Sequence, residues 1–245
     1  MSTTISELAF LAAPTFRSRA YAQMMAQSGI LPNTLIKIPG DEPDWRGPER
    51  VTIPAPVGDG WEGMPDFSFA PGESVQETLG HRVERQMTLP VRDLHDASSF
   101  AGLMSVEEDV FLFSSFGGDI LRDPVIDCGK RFLHIHGGWA PDYRGSTCFL
   151  YSLLRDGEMG ATAIWLERLI DTGPVLDRYA YRPPVGIDLD RIGEPAGRAM
   201  LLARVLRRRI EMGRFPDGCR DDGPGETFHV IHPVLKHLAL RRRKS

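Results

Sequence analysis

Residues 131–176 read RFLHIHGGWAPDYRGSTCFLYSLLRDGEMGATAIWLERLIDTGPVL, and this stretch decides the fold. Phe132, His134 and His136 alternate with aliphatic residues at its start, and the alternation predicts a short strand. Side chains two residues apart lie on the same face of a strand, so we expect the two imidazoles side by side. The stretch therefore opens with a strand that presents paired histidines.

A turn, a helix and a second strand follow that first strand. Pro141-Asp142 is typical of a turn. From Gly145-Ser146 onwards apolar residues recur at helical spacing, and Gly157 ends the predicted helix. Residues 161–166 then predict a strand that runs into the loop of Asp171. A carboxylate one crossover later can meet the histidines at the carboxyl end of a parallel sheet, where such folds bind ligands.

These residues resemble the catalytic core of the folate-dependent formyltransferases, the superfamily of methionyl-tRNA, glycinamide-ribonucleotide and nucleotide-sugar formyltransferases. The family signature is Asn-x-His on a strand, a Pro-x-Tyr-Arg-Gly turn, a helix and an Asp-x-Gly loop. The matching positions are His136, residues 141–145 and residues 171–173. Upstream, residues 109–121 (DVFLFSSFGGDIL) resemble the family's strand and glycine turn beside the folate, and the likeness extends over about residues 6–180.

One position departs from this signature. His134 stands where the family has its Asn. The only Asn of the chain is Asn33, in a predicted early loop, so we do not expect a relocated amide. His134 or backbone N–H groups therefore take the role of the family's amide, or no group takes it.

The resemblance implies catalytic roles for three residues. Formyl transfer from 10-formyltetrahydrofolate to an amine passes through a tetrahedral intermediate with a negative oxygen, and a fixed donor to such an oxygen contributes roughly 3–4 kcal/mol. His136 is the expected donor. Asp171 is expected to orient its ring and to accept or relay a proton from the amine. His134 is the third catalytic candidate, as an oxyanion donor, as the base of the amine, or as neither.

The resemblance also implies contacts with the folate. The glycine turn after the predicted strand at residues 110–113 lets a flat ligand approach the backbone, although a turn needed only for tight packing is the alternative. The start of the predicted helix could offer N–H groups to ligand oxygens. The candidate cofactor-binding residues are Phe116, Gly117, Gly118, Leu121, Gly145 and Ser146.

Composition excludes some classes of protein. The chain has 245 residues, of which 42% are hydrophobic and 25% charged, and its net charge of −4 argues against a nucleic-acid-binding protein. Its three cysteines show no disulfide or metal-ligand spacing, and we find neither a signal peptide nor an apolar run of about 18 residues. We therefore expect a cytoplasmic protein without membrane contact, and a homodimer is possible.

The order of the elements predicts the fold class. A strand at residues 8–13, a helix at 16–27 and a strand at 35–38 predict an α/β protein with a doubly wound, mostly parallel sheet. We expect a formyltransferase-like catalytic domain at residues 1–180, interrupted by an ordered insertion at 40–75 that is rich in Pro, Gly and aromatic residues. Residues 181–245 are expected to form a short helical extension packed on the same domain.

Two apparent sites in this first half have simpler interpretations. Residues 58–63 fit G-x-G-x-x-G, but prolines precede them and no helical pattern follows, so we do not expect a dinucleotide site. Arg17 and Arg19, at the start of the first helix, could meet an anion but are expected to be structural or solvated.

Three functions remain open. The first is formyl transfer to the amine of a small molecule, such as an amino sugar nucleotide or a modified amino acid. About 65 residues after the core leave little room for the extra domain of tRNA-acting members. The second is a metal-dependent enzyme in which His134, His136 and Asp171 are the two-histidine, one-carboxylate ligands. The third is a folate-binding homologue without turnover.

Overall fold

The computed structural model of the chain describes residues 2–242 and divides into two compact units, Met1–His134 and Ile135–Ser245. This division lies inside the strand Arg131–His136, whereas the sequence predicts a change from catalytic domain to extension at residue 180. The predicted domain boundaries therefore stay a prediction, and the two units are described one after the other.

The first unit is built on a parallel sheet. Its strands are ordered β7-β6-β1-β2-β5, and each neighbouring pair is parallel, which confirms the predicted α/β class with a mostly parallel sheet. In chain order its elements are β1 (Thr3–Ala12), α1 (Phe16–Ser28), β2 (Ile30–Lys37), β3 (Val51–Ile53), β4 (Phe67–Phe69), α2 (Val75–Leu79), β5 (Arg85–Thr88), α3 (Ala97–Met104), β6 (Val110–Ser114) and β7 (Arg131–His136), of which the last two residues belong to the second unit.

Local sequence sets the ends of α1. The Thr15 hydroxyl accepts the Ser18 N–H at 3.1 Å, which caps the first turn. Gly29 ends the helix in the left-handed conformation, at φ 65°, which glycine adopts at little cost. Both ends agree with the predicted helix to within one residue. Apolar runs in β1 and β6 supply the buried centre of this unit, including Leu8, Phe10, Phe111 and Leu112.

Part of the predicted insertion at residues 40–75 packs on α1. Its two short strands, β3 and β4, form an antiparallel hairpin whose aromatic side chains are buried. The amide of Gln23 both donates to and accepts from the backbone of Ala70, at 2.8 Å each, and the amide of Gln27 does the same with Ser68, at 2.7 and 3.0 Å. Two side chains on one helix thus bind alternate residues of an extended segment. Its position over a substrate stays a prediction.

One first-unit expectation, the loop position of Asn33, needs correction. Helix α2 is short because a capping box begins it at Ser74 and Gly80 follows its last residue. Asn33 lies in β2 and not in a loop, and it donates to the buried carboxylate of Glu108 at 2.5 Å. The G-x-G-x-x-G segment is a series of turns followed by β4, so no helix follows it, as predicted.

The second unit combines two small sheets with helices. β9 and β10 are antiparallel, and β8 and β11 are parallel. Leu150, Leu153 and Met159 pack with Ile231 and Ala239 from the end of the chain to form its buried cluster. Its elements are β8 (Tyr143–Gly145), α4 (Cys148–Asp156), β9 (Met159–Trp165), β10 (Val175–Tyr181), a π-helical turn (Leu189–Gly193), α5 (Glu194–Met212), β11 (Glu226–Phe228) and α6 (Pro233–Arg242).

Two elements in this unit differ from expectation. α4 begins at Cys148 and not at Gly145, because Gly145 and Thr147 adopt positive φ values of 93° and 52° that are incompatible with a helix. β10 was not predicted.

Within residues 2–242, none of the helices combines the length and the apolar character that crossing a bilayer requires.

Candidate active site

His136 and Asp171 meet in the second unit. The Nδ1 atom of His136 lies 3.2 Å from Oδ2 of Asp171, and their side chains are only 4% and 8% exposed. Asp171 is held in the left-handed conformation at φ 53°, which Asp tolerates better than most residues. The predicted convergence of the imidazole and the distant acid is therefore present in the structure.

The second nitrogen of His136 is also engaged. Nε2 lies 2.8 Å from the carbonyl oxygen of Tyr143. A carbonyl oxygen only accepts hydrogen bonds, so Nε2 carries a proton and donates it. The other ring nitrogen, Nδ1, faces Oδ2 of Asp171, so both nitrogens of His136 have a partner within this unit. A direct contact with a substrate oxyanion therefore requires His136 to give up the Tyr143 carbonyl.

Asp171 has one engaged and one open oxygen. Oδ2 accepts the Gly145 N–H at 2.8 Å and faces His136. Oδ1 has no hydrogen-bond partner among residues 2–242. The engaged oxygen fixes the carboxylate, and the open one is available to accept a proton.

The turn around this pair is tightly packed. A Cβ atom added to Gly138 would lie 2.6 Å from Nε2 of His136 and 2.7 Å from Cβ of Cys148, so only glycine fits there. A Cβ on Gly137 would lie 2.6 Å from Oε1 of Glu194. Burial, with a further contribution from Asp171, raises the pKa of Cys148 to about 12, so its thiol is protonated and is not a nucleophile at neutral pH.

The expected N–H donors at the helix start are not open to a ligand. The Gly145 N–H donates to Asp171, and the Ser146 N–H donates to the carbonyl oxygen of Phe228 at 2.8 Å. Cofactor binding by Gly145 and Ser146 stays a prediction, but the open donors on which we based it are absent from the structure. Both N–H groups position parts of the chain instead.

The glycine turn of the first unit borders a cavity. The cavity has a volume of about 460 Å³, and two of the candidate cofactor residues, Gly118 and Leu121, line it. A Cβ on Gly117 or Gly118 would meet no atom within 4 Å, so tight packing does not explain these two glycines. Gly118 has φ 89°, which explains it as a turn residue. The remaining lining residues are Arg92, Asp93, Leu94, His95, Asp119, Ile120 and Arg122.

Two residues that the sequence analysis missed organise this turn. The guanidinium carbon of Arg92 lies 3.7 Å from the centre of the Phe116 ring. Asp119 accepts the Ser115 hydroxyl at 2.5 Å and the Phe116 N–H at 3.2 Å, and it pairs with Arg92 at 3.7 Å. Nothing in the sequence marked Arg92, because it belongs to a loop that is distant along the chain.

His134 is half-buried on β7 in the first unit. Its Nδ1 lies 3.4 Å from the carbonyl oxygen of Phe113, and its ring centre lies 6.0 Å from that of Phe113. Because the carbonyl only accepts, Nδ1 is the protonated nitrogen, and in the neutral ring Nε2 is then an acceptor. This tautomer favours a base over an oxyanion donor.

Arg17 and Arg19 are structural, as expected. Arg17 donates to the Ser114 hydroxyl at 3.2 Å and to the Ser115 carbonyl. Arg19 is 3% exposed and donates to the Pro71 carbonyl at 2.6 Å and to Glu42. Both arginines therefore hold neighbouring segments in place.

Comparisons with known proteins agree with this architecture. No protein-family model matches the chain. It is 29% identical over 144 residues to the methionyl-tRNA formyltransferase of Hahella chejuensis (56% of this chain, 43% of the relative) and 32% identical over 125 residues to that of Rhizorhabdus wittichii (50% and 37%). The chain thus spans less than half the length of these curated relatives.

A solved structure extends the likeness to the fold. The N-formyltransferase of Helicobacter canadensis, in complex with folinic acid and dTDP-3-aminofucose, superposes with a TM-score of 0.53 at 13% identity. The match covers 98% of this chain and 80% of that one, and at this identity it shows the fold alone. Together these findings confirm the resemblance to the folate-dependent formyltransferase superfamily.

Proposed function

We propose that this protein is an N-formyltransferase that moves the formyl group of 10-formyltetrahydrofolate to the amine of a small molecule. The observation that carries the proposal is the buried pair of His136 and Asp171, at the motif positions that the formyltransferase resemblance singles out. Buried ion pairs also occur as structural elements, but this one leaves Oδ1 of Asp171 open to accept a proton.

Asp171 is the proton acceptor in this mechanism. As the amine attacks the formyl carbon, its nitrogen becomes positively charged and must lose a proton. Oδ1 of Asp171 takes that proton, while Oδ2 stays bound to Gly145 and His136. The oxyanion then re-forms the carbonyl as the bond from the formyl carbon to N10 of the folate breaks, N10 takes the proton that Asp171 accepted, and tetrahydrofolate and a formamide result.

His136 stabilises the oxyanion of the intermediate. Its Nε2–H exchanges the neutral carbonyl of Tyr143 for the negatively charged oxygen, which is the stronger acceptor. The Tyr143 carbonyl thus holds the ring in position before the charge develops. A donor of this kind contributes roughly 3–4 kcal/mol to the transition state.

His134 takes the place of the family's amide with different chemistry. Its Nδ1 faces the Phe113 carbonyl, so Nε2 has a lone pair and can act as a second base toward the amine. A neutral amide could not accept a proton in this way. His134 is therefore a catalytic residue of this proposal, in addition to His136 and Asp171.

The cavity of the first unit supports a folate donor. Phe116, Gly117, Gly118 and Leu121 are the proposed contacts, because the two glycines leave room for a flat ring near the backbone. A folate must compete with Arg92 for the exposed face of Phe116. The Helicobacter canadensis protein bound folinic acid, which is chemically close to the proposed donor.

For the acceptor we propose an amino sugar nucleotide, with a modified amino acid as the second choice. The structural relative from Helicobacter canadensis was solved with dTDP-3-aminofucose. The net charge of −4 argues against tRNA as the acceptor, because tRNA recognition requires a positive surface.

The test begins with binding. Calorimetry with folinic acid should detect a complex, and incubation with 10-formyltetrahydrofolate and a panel of amino sugar nucleotides should yield a formamide, detected by its mass increase of one formyl group. Folate binding without transfer to any amine would support the homologue without turnover. Transfer that a chelator abolishes and one metal restores would instead support the metal-dependent alternative.

A further inference from the structure

The short strand β8 holds both members of the His136–Asp171 pair. Its Tyr143 carbonyl accepts from Nε2 of His136, and its Gly145 N–H donates to Oδ2 of Asp171. A displacement of β8 therefore changes both contacts at once. What keeps β8 in place thus also determines the geometry of the pair.

The neighbour of β8 is β11, near the end of the chain. The two strands are parallel, with Tyr143 opposite Glu226 and Gly145 opposite Phe228. Just beyond β8, the Ser146 N–H donates to the Phe228 carbonyl at 2.8 Å. β11 is therefore bound to the backbone that carries the two contacts.

The fit between these strands is close. A Cβ on Gly145 would lie 2.3 Å from the Phe228 carbonyl oxygen, so the two backbones touch directly. The Phe228 ring stacks on Tyr143, with centres 5.4 Å apart and planes at 21°, and lies 4.5 Å from the ring of Tyr151. These aromatic contacts fix the position of β11.

We propose that Phe228 is a positioning residue, which through β11 and β8 sets the distance between His136 and Asp171. Its effect on catalysis rests on the proposed function, but its effect on the histidine ring does not. Because the contact passes through β8, removal of the Phe228 ring alters the environment of both His136 ring nitrogens. No contact of Phe228 with a substrate is required.

The test compares Phe228→Ala with Phe215→Ala in the full chain. Phe215 is the control: it is an aromatic residue of the same unit, more buried than the half-buried Phe228, and its ring packs against that of Trp165. The ring nitrogens are observed in ¹⁵N–¹H spectra of histidine-labelled protein, where His136 is assigned by its absence from a His136→Gln variant.

We expect Phe228→Ala to shift both ring-nitrogen signals of His136 and to lower kcat by about 10–100-fold, the size of effect that a misplacement of about 1 Å produces. KM for the folate should change less than twofold. Phe215→Ala should leave the His136 signals in place, and Phe228→Tyr should restore both the signals and kcat.

Unchanged His136 signals in Phe228→Ala, or equal changes in Phe215→Ala, would overturn the proposal. If Phe228→Ala does not fold, Phe228→Leu keeps the apolar volume without the ring and is read in the same way. Shifted signals in a protein without formyl transfer would support the positioning role and count against the proposed function alone.

Discussion

The two units differ in how much space their key glycines leave. In the first unit, Gly117 and Gly118 face open space beside a cavity of about 460 Å³. In the second unit, Gly138 and Gly145 are packed against His136 and Phe228, and an added Cβ on either would lie less than 2.7 Å from another atom. The same residue type thus borders open space in one unit and allows close packing around His136 and Phe228 in the other.

The largest expected effect comes from removing the charge of Asp171 in the second unit. Asp171→Asn keeps the size of the side chain and an oxygen for the Gly145 N–H but removes the proton acceptor, so kcat should fall about 10²–10⁴-fold. The measurement is single-turnover formyl transfer. Asp190→Asn, at an exposed pair with Lys236, is the control and should retain full activity. Near-wild-type turnover in Asp171→Asn would show that the site assignment is wrong.

The second change tests how closely β8 packs against β11. Gly145→Ala and Gly157→Ala both introduce a Cβ at positive φ, 93° and 79°, and each should cost about 1–2 kcal/mol in backbone strain. Only Gly145→Ala also collides with a backbone oxygen, that of Phe228. We expect urea unfolding to show at least about 2 kcal/mol more destabilisation for Gly145→Ala than for Gly157→Ala. Equal losses would contradict the close fit of β8 and β11.

The third change tests whether Gly117 of the first unit faces open space. Gly117→Ala meets no atom within 4 Å and requires no positive φ, so the unfolding free energy should change by less than about 0.5 kcal/mol. Gly117 is one of the proposed folate contacts, so the Kd for folinic acid, measured by calorimetry, should rise about tenfold, a loss of about 1.4 kcal/mol. Gly72→Ala, where only an ordinary contact with Trp45 arises, should leave the Kd unchanged. Unaltered folate affinity in Gly117→Ala would remove this turn from the proposed site.

The smallest expected effect concerns the protonation of the buried Cys148 thiol in the second unit. Burial raises the pKa of Cys148 from 9.0 to about 12, so above pH 9 the unfolded chain loses this proton while the folded chain keeps it. The stabilisation is therefore complete below pH 9 and decreases as the pH rises, by about 1 kcal/mol between pH 9 and 10. Urea unfolding at pH 8, 9 and 10 measures it, with Cys148→Ala as the control.

That decrease should be smaller by about 1 kcal/mol in Cys148→Ala. The pKa values of Tyr143 and Tyr179 are also raised by burial from their usual 10.0, and these two residues together lose about 0.7 kcal/mol over the same pH range in both proteins. Only the difference between the two proteins therefore reports on Cys148. The same slope in both proteins would mean that this thiol is not buried in solution.

The sequence predicted the parts of the fold and site that depend on local patterns. α1 follows from its place between two apolar runs and from the glycine at its end, and the pairing of His136 with Asp171 follows from the motif order. Partners of distant segments were not predictable in this way. The pairing of β8 with β11 joins residues that are far apart along the chain, and no periodicity in either strand encodes that choice.

The sequence also did not predict which groups would accept hydrogen bonds from the site's donors. The motif identifies His136, but only coordinates show that the Tyr143 carbonyl takes its second nitrogen. The helix start was likewise misjudged at Gly145 and Ser146, because their N–H groups are used by Asp171 and Phe228. Two of these partners, the carbonyls of Tyr143 and Phe228, are backbone groups with no signature in the side-chain pattern, and the third is the Asp171 carboxylate.

The glutamine contacts of α1 have a consequence for how such proteins acquire new surfaces. Residues four apart on a helix are about 6 Å apart along its axis, close to the spacing of about 6.7 Å between alternate residues of a strand. Because of this match, the amides of Gln23 and Gln27 bind the backbones of Ala70 and Ser68. The two side chains thus offer the segment donors and acceptors at the spacing that a neighbouring strand would offer. An added segment can therefore be anchored by two substitutions on an existing helix, while the strands beneath it keep their sequence and register.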